Sequence, residues 1–199
     1  MNASADGACF KRCEMQVAVL LAEGFEEIEA LAVADILRRA GVTTPLVAVA
    51  AGAAWVTGAH GITVKTDAEL ADLAPGGLAA VVLPGGMPGA RNLAESPAVL
   101  ALLKQVRANG GLLAAICAGP LALQAAGLLR GRTVTGFPSI RDQLPGATYT
   151  GDRVAWDDAI LTSKAAGTTF EFALELLRRL NLAEPAAKLR DSMCVAASI

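Results

Sequence analysis

Cys117 closes the apolar run Leu112–Ile116 and is followed by Ala118-Gly119-Pro120 and a helical pattern to about Ala126. A strand-length apolar run, a nucleophile, small residues and then a helix is the order that sets a side chain on a tight turn. Such a turn lies at the carboxyl end of a strand, where open α/β sheets form their ligand crevices. A thiol there meets the free N–H groups and dipole of the next helix, which favour the thiolate and lower its pKa. The plainer alternative is a buried cysteine in an apolar strand, because cysteine packs like a small hydrophobe. The local sequence leaves both open.

Glu29 is the second residue whose type and place do not match. At helical spacing Ala32, Val33, Ile36 and Leu37 share one face, with Glu27 and Arg38 opposite and Leu31 an outward exception. Glu29 falls in the middle of the apolar face, where a carboxylate must be paired or protonated. The alternative is an acid in the first helical turn that caps it or meets its dipole, the role expected of Glu26 and Glu27. Gly85-Gly86, after a buried strand, offers N–H groups that no side chain obstructs and that suit a developing oxyanion or a phosphate. A turn needing glycine dihedrals would look the same. The segment has neither dinucleotide-loop spacing nor a P-loop Gly-Lys-Ser/Thr. His60, the sole histidine, lies in a Gly-flanked loop and reads as a solvated residue, so a histidine-based triad is not expected.

The elements that must position these residues alternate in type. Gln16–Ala22 reads as a buried strand, and a helix follows from about Glu27 to Ala40, with Arg38 and Arg39 in its last turn and Gly41 beyond. Leu46–Ala50 is a second strand and Val56–Lys65 a hairpin-like excursion. Ala79–Leu83 is a buried strand, and Ser96-Pro97 caps and starts a helix to Asn109. Thr133–Thr135 and Arg153–Ser163 read as strands, and Thr168 to Glu171 has capping-box spacing ahead of a helix over Phe172–Leu180. This order predicts a doubly wound α/β sandwich with a mostly parallel central sheet and helices on both faces.

Composition narrows the function classes. Of 199 residues 54% are hydrophobic but only 4% aromatic, as suits parallel strands of Val, Leu, Ile and Ala covered on both sides. The net charge of −2 comes with no basic stripe, so no specific nucleic-acid binding is expected, and no apolar run is long enough for a membrane span. Residues 1–14 carry no secretory pattern and read as a disordered tail before one domain over residues 15–199. Cys9, Cys13, Cys117 and Cys194 are too scattered for a disulfide framework, which points to a cytoplasmic chain. With one histidine, no metal site is expected.

Four segments in order resemble the ThiJ/PfpI superfamily, in the branch of the parkinsonism-associated deglycase and YajL. They are Ala22-Glu23-Gly24-Phe25-Glu26-Glu27-Ile28-Glu29, Val82-Leu83-Pro84-Gly85-Gly86, Ala114-Ala115-Ile116-Cys117-Ala118-Gly119-Pro120 and Leu161-Thr162-Ser163 with Gly167-Thr168. The resemblance runs from about Met15 to Asn181. It implies a flavodoxin-like fold, a homodimer, Cys117 as nucleophile and Glu29 as a protonated partner of the thiolate. It also implies Gly86 and Ala118 as backbone donors, a pocket drawing on Gly85, Phe137, Pro138 and His60, and cofactor-free chemistry on small α-oxoaldehydes such as methylglyoxal. An oxidative-stress sensor or redox-regulated chaperone using the same cysteine is the alternative. Two departures matter: PfpI-type proteases have histidine where this chain has Ala118, which argues against proteolysis, and Phe137 stands where some relatives bring a histidine to the thiol. His60 stands where relatives have an arginine.

Overall fold

The computed structural model describes residues 15–196. The expectations for residues 1–14, including Cys9 and Cys13, lie outside it. In chain order the elements are β1 (Gln16–Leu21), α1 (Glu27–Arg39), β2 (Leu46–Ala48), β3 (Trp55–Thr57), β4 (Thr63–Lys65), β5 (Ala68–Glu69) and β6 (Leu78–Leu83). Next come α2 (Gly89–Glu95), α3 (Pro97–Ala108), β7 (Leu112–Ile116), α4 (Pro120–Ala125), β8 (Thr133–Val134) and β9 (Thr148–Tyr149). The chain ends with β10 (Val154–Asp157), β11 (Ile160–Ser163), α5 (Thr169–Arg179) and α6 (Ala183–Ser192).

The main sheet runs β10-β11-β7-β6-β1-β2-β5, parallel except for the β10–β11 hairpin at one edge. Its central strands are apolar on both faces because both faces are covered. Along β1, Val17, Val19 and Leu21 join the core under α1, α5 and α6, whereas Ala18 and Leu20 join the core under α2, α3 and α4. β6 and β7 divide in the same way: Val82, Ala114 and Ile116 face the first core, Leu83, Leu113 and Ala115 the second. From β1 the chain steps outward to β2 on one side and crosses to β6 on the other. The strand order therefore reverses at β1/β6, and the crevice expected there opens at the carboxyl ends of β1, β6 and β7.

Several local readings shift. The run from Arg153 to Ser163 is a hairpin, turning at Asp158 with φ 56°. The second strand stops at Ala48, and α2 and α6 are additional helices. Ser96 caps α3 as its sequence indicates, its hydroxyl accepting from the Val99 N–H at 3.4 Å. The capping box at Thr168 does not form: its hydroxyl bonds Ala165 O at 2.7 Å and Ser163 Oγ at 2.6 Å, while Glu171 turns to Arg153 at 2.9 Å. Glu27, expected on the outer face of α1, is buried. The 58–62 turn folds over it. Its Oε1 accepts from the His60 N–H at 2.7 Å and the Ile62 N–H at 3.4 Å.

Candidate active site

Each of the three central strand ends delivers one part of the site. After β7 comes Cys117, with φ 59°, a left-handed conformation that a side chain occupies only under constraint and at a cost of about 1–2 kcal/mol. The constraint is visible. Cys117 N–H donates to Ser163 O at 2.9 Å, its carbonyl accepts from Phe137 N–H at 2.8 Å, and Gly119 N–H donates to Ile116 O at 2.8 Å. A Cβ on Gly119 would stand 2.2 Å from Leu83 O, so glycine is required for the elbow to pass the neighbouring strand. Cys117 is partly exposed, whereas Ala118 is buried.

From β6 comes the Gly85-Gly86 turn. A Cβ on Gly85 would lie 2.7 Å from Cys117 Cβ and 2.8 Å from both Ala118 N and Glu29 Oε2. Gly85 is thus the gap through which the acid and the sulfur approach each other. Gly86, with φ 83°, lies against Gly24 and Glu26, and its N–H, like that of Ala118, pulls the thiol's pKa down.

Beyond β1, the first turn of α1 carries Glu29, which has no accessible surface. Its Oε2 accepts from Gly85 N–H at 2.7 Å. Oε1 is buried with no partner of ordinary hydrogen-bond geometry, yet the carboxyl and the Cys117 thiol are coupled through a side-chain contact. Burial, only partly offset by the Gly85 and Cys117 contacts, pushes the Glu29 carboxyl up to about 7, and the charge of Glu26 adds to the rise. The thiol is pushed up to about 12, first by burial and then by the charge and hydrogen bond of Glu29, against the pull of the Ala118 and Gly86 N–H groups. This reverses the lowering expected from the helix start: α4 has only six residues, and desolvation beside a carboxyl outweighs it. A proton on Glu29 removes the share of that rise that its charge supplies, and the share from burial stays.

The remaining sequence candidates divide. Phe137 reaches Cys117 through its backbone N–H, while its side chain and Pro138 are exposed. His60 is not brought to the sulfur. Its imidazole Nδ1 lies 2.9 Å from Glu27 Oε2 and 3.5 Å from Glu26 Oε2, and the Glu27 hydrogen bond, with both charges, raises its pKa. Glu26, Glu27 and His60 form the one group among the described residues with enough converging ligand atoms for a metal ion. Glu27 already spends its oxygens on His60 and Ile62, and the group sits at the positive end of α1, so no ion is assigned to it. Glu27 escaped the sequence reading because its cover comes from a loop 33 residues away. The surface features left over include Cys194, an exposed free thiol just after α6.

A reversing parallel sheet with a strained thiol elbow at its switch point, faced by a buried acid and two backbone N–H groups, defines a flavodoxin-like α/β protein built around a cysteine. The chain belongs to the DJ-1/PfpI family, whose sequence model matches residues 15–179. It is 42% identical over 176 residues to the Parkinson disease protein 7 homolog of Danio rerio, covering 86% of this chain and 93% of that one. It is 37% identical over 178 residues to the glutathione-independent glyoxalase DJR-1.2 of Caenorhabditis elegans, covering 87% of this chain and 92% of that one. The crystal structure of Drosophila melanogaster DJ-1beta superposes with a TM-score of 0.88 at 35% identity, over 92% of this chain and all of that one. Among the described residues no helix is long and apolar enough to cross a membrane.

Proposed function

We propose that the protein is a cysteine-dependent glyoxalase and deglycase, acting on methylglyoxal-type α-oxoaldehydes and their early adducts. The observation that carries this reading is the pair itself: a nucleophile on a strained elbow beside a buried carboxyl that exchanges its proton near pH 7. In the proposed sequence the sulfur of Cys117 adds to the aldehyde carbon and the thiol proton goes to the aldehyde oxygen, giving a hemithioacetal. Glu29 takes the hydrogen from that carbon as the ketone oxygen is protonated. The resulting enediol is reprotonated at the neighbouring carbon, which leaves a thioester. Water then splits the thioester, releasing the 2-hydroxy acid and restoring the thiol. One carbon is oxidised by two electrons and its neighbour reduced by two, so the substrate is its own oxidant. The N–H groups of Gly86 and Ala118 steady charge at the reacting centre.

The C. elegans relative's name supports the reading, as does Ala118, which leaves the sulfur without the adjacent histidine of a protease. Proton NMR of methylglyoxal with purified protein tests it: lactate should form with the wild type and not with Cys117→Ser. Equal turnover by the two would sink the proposal.

A second reading is supported by the partial exposure of the same cysteine. A protonated Glu29 could donate to a sulfinate, making Cys117 an oxidation sensor or the switch of a chaperone. Mild peroxide should then add two oxygens to Cys117 before Cys194, and mass spectrometry finding the reverse order would argue against it. Under either reading we place the protein in the cytoplasm as a homodimer. Support for the dimer comes from Ile28 on α1 and from Trp55 and Ile62 of the β3–β4 unit, large apolar side chains left exposed. A monomer in light scattering at micromolar concentration would refute it.

A further inference from the structure

A hollow of about 680 Å³ lies between β10, α5 and α6 with the segment that follows it. None of its lining residues belongs to the thiol site. Four arginines line it, Arg153, Arg178, Arg179 and Arg190, against two carboxylates, Glu171 and Glu175. This local excess of positive charge stands out in a chain whose net charge is −2.

The depth of the charges matters more than their number. Glu171, 21% exposed, holds Arg153, 52% exposed; Glu175, 20% exposed, holds both Arg178 and Arg179, at 42% and 37%. The carboxylates therefore lie beneath and the guanidinium groups stand towards solvent. Glu175 can neutralise only one of its two arginines. Arg190 is held by Asp191, which does not line the hollow. The arginines are also held in place before any ligand arrives: Arg153 makes bidentate contacts at 2.8–3.0 Å, and Arg179 lies over the Trp156 ring at 4.4 Å. Such fixing lowers the ordering cost of binding, and guanidinium forks match phosphate oxygens. Trp156, Leu174 and Val195 give the hollow an apolar wall, and its volume exceeds the needs of a bare inorganic anion.

We propose that this hollow is a second ligand site, for a small organic molecule carrying a phosphate dianion. The phosphate takes the surplus guanidinium charge, and the organic body lies against the apolar wall. Two groups of probes separate these parts: phenyl phosphate carries both, whereas inorganic phosphate and inorganic pyrophosphate carry the charge alone.

The test is calorimetric titration of the full chain at a constant ionic strength of about 0.15 M, where long-range surface attraction is screened. Trp156 fluorescence in a Trp55→Phe background is the local reporter. Phenyl phosphate should saturate, change the Trp156 emission, and bind more tightly than inorganic phosphate. The double variant Arg178→Ala/Arg190→Ala should weaken it by about tenfold or more, the effect of losing charge-assisted hydrogen bonds, with an unchanged circular dichroism spectrum. Cys117→Ser should bind as the wild type does, so that failure of the thiol chemistry and failure of this site are read separately. Absence of saturation, equal binding by the double variant, or preference for inorganic phosphate or pyrophosphate over phenyl phosphate would each overturn the proposal.

Discussion

Glu27 and Glu29 stand two residues apart in the first turn of α1, and both are buried, yet they titrate in opposite directions. Burial raises both. At Glu27 it is outweighed by the imidazole and N–H of His60 and the N–H of Ile62, and the carboxyl falls below its ordinary value. At Glu29 one backbone N–H and a thiol answer the same desolvation, one oxygen has no partner, and the carboxyl rises to about 7. The difference lies in what covers each residue. A turn with its free N–H groups lies over Glu27; the Gly85 turn and the elbow close over Glu29. A carboxylate made permanent by donors secures a loop, and one starved of donors keeps a proton to exchange.

The largest expected effect comes from removing that exchangeable proton. Glu29→Gln keeps the shape and the Gly85 contact but cannot move a proton, so turnover of methylglyoxal should fall by about 10²–10⁴-fold, the usual contribution of a positioned acid–base group. Steady-state lactate formation measures it. Retention of wild-type turnover would erase the functional half of the comparison. Next in size is the stability that follows from titration. The folded-state value of Glu29 lies above its ordinary 4.5, so the folded form binds the extra proton. The resulting stability is fully present below pH 4.5 and is lost as pH rises through about 7. The displacement corresponds to roughly 3 kcal/mol. Urea denaturation of the wild type should show that decline between pH 4.5 and 7, and Glu29→Gln should flatten it.

Gly85→Ala sharpens the comparison from the backbone side. The added methyl would meet Cys117 Cβ and Ala118 N, neither of them the end of a flexible side chain, and Glu29 Oε2, the buried end that the Gly85 N–H holds, all within 2.8 Å. Relief requires separating acid from sulfur. A stability loss of about 1–3 kcal/mol is expected, and iodoacetamide should alkylate Cys117 with an altered pH dependence. An unchanged alkylation profile would show that the pair does not depend on this gap.

What the sequence reveals follows the same division between local and distant causes. β1, β6 and β7 were legible because a strand covered on both faces must be continuously apolar, and Cys117 because strand, nucleophile, small residues and helix fall in consecutive positions. The burial of Glu29 was legible because an acid on an apolar helical face is a local contradiction. Glu27 was not, since its burial depends on a turn 33 residues downstream. The thiol's titration was misread for a related reason: the helix start is local, but burial and the nearby carboxyl are supplied by the fold. α2 buries only Gly89, Ala90 and Leu93, and α6 only Ala186, so neither leaves a periodic apolar stripe. At Thr168 the spacing fitted a capping box, but Ser163, Ala165 and Arg153 offered the side chains better partners.

The smallest effects concern the covering turn. Glu27→Ala strands the N–H groups of His60 and Ile62, but these lie under a single loop that water can reach once the carboxylate is gone. The loss should therefore be about 1 kcal/mol, at the low end for an unpaired hydrogen-bonding group. Its sign with pH is opposite to that of Glu29. A lowered carboxyl stabilises above its ordinary value of 4.5 and loses that contribution as pH falls through its folded value. His60 supplies a direct readout. Its imidazole is raised above 6.5 first by the hydrogen bond to Glu27, then by the charges of Glu26 and Glu27, so the protonated form persists further into neutral pH than in a free histidine. NMR titration should find the His60 value fall towards 6.5 in Glu27→Ala and stay raised in Glu29→Gln. The reverse pattern would mean that the two carboxylates are not separate devices and that the proton of Glu29 is shared along the helix turn with its neighbours.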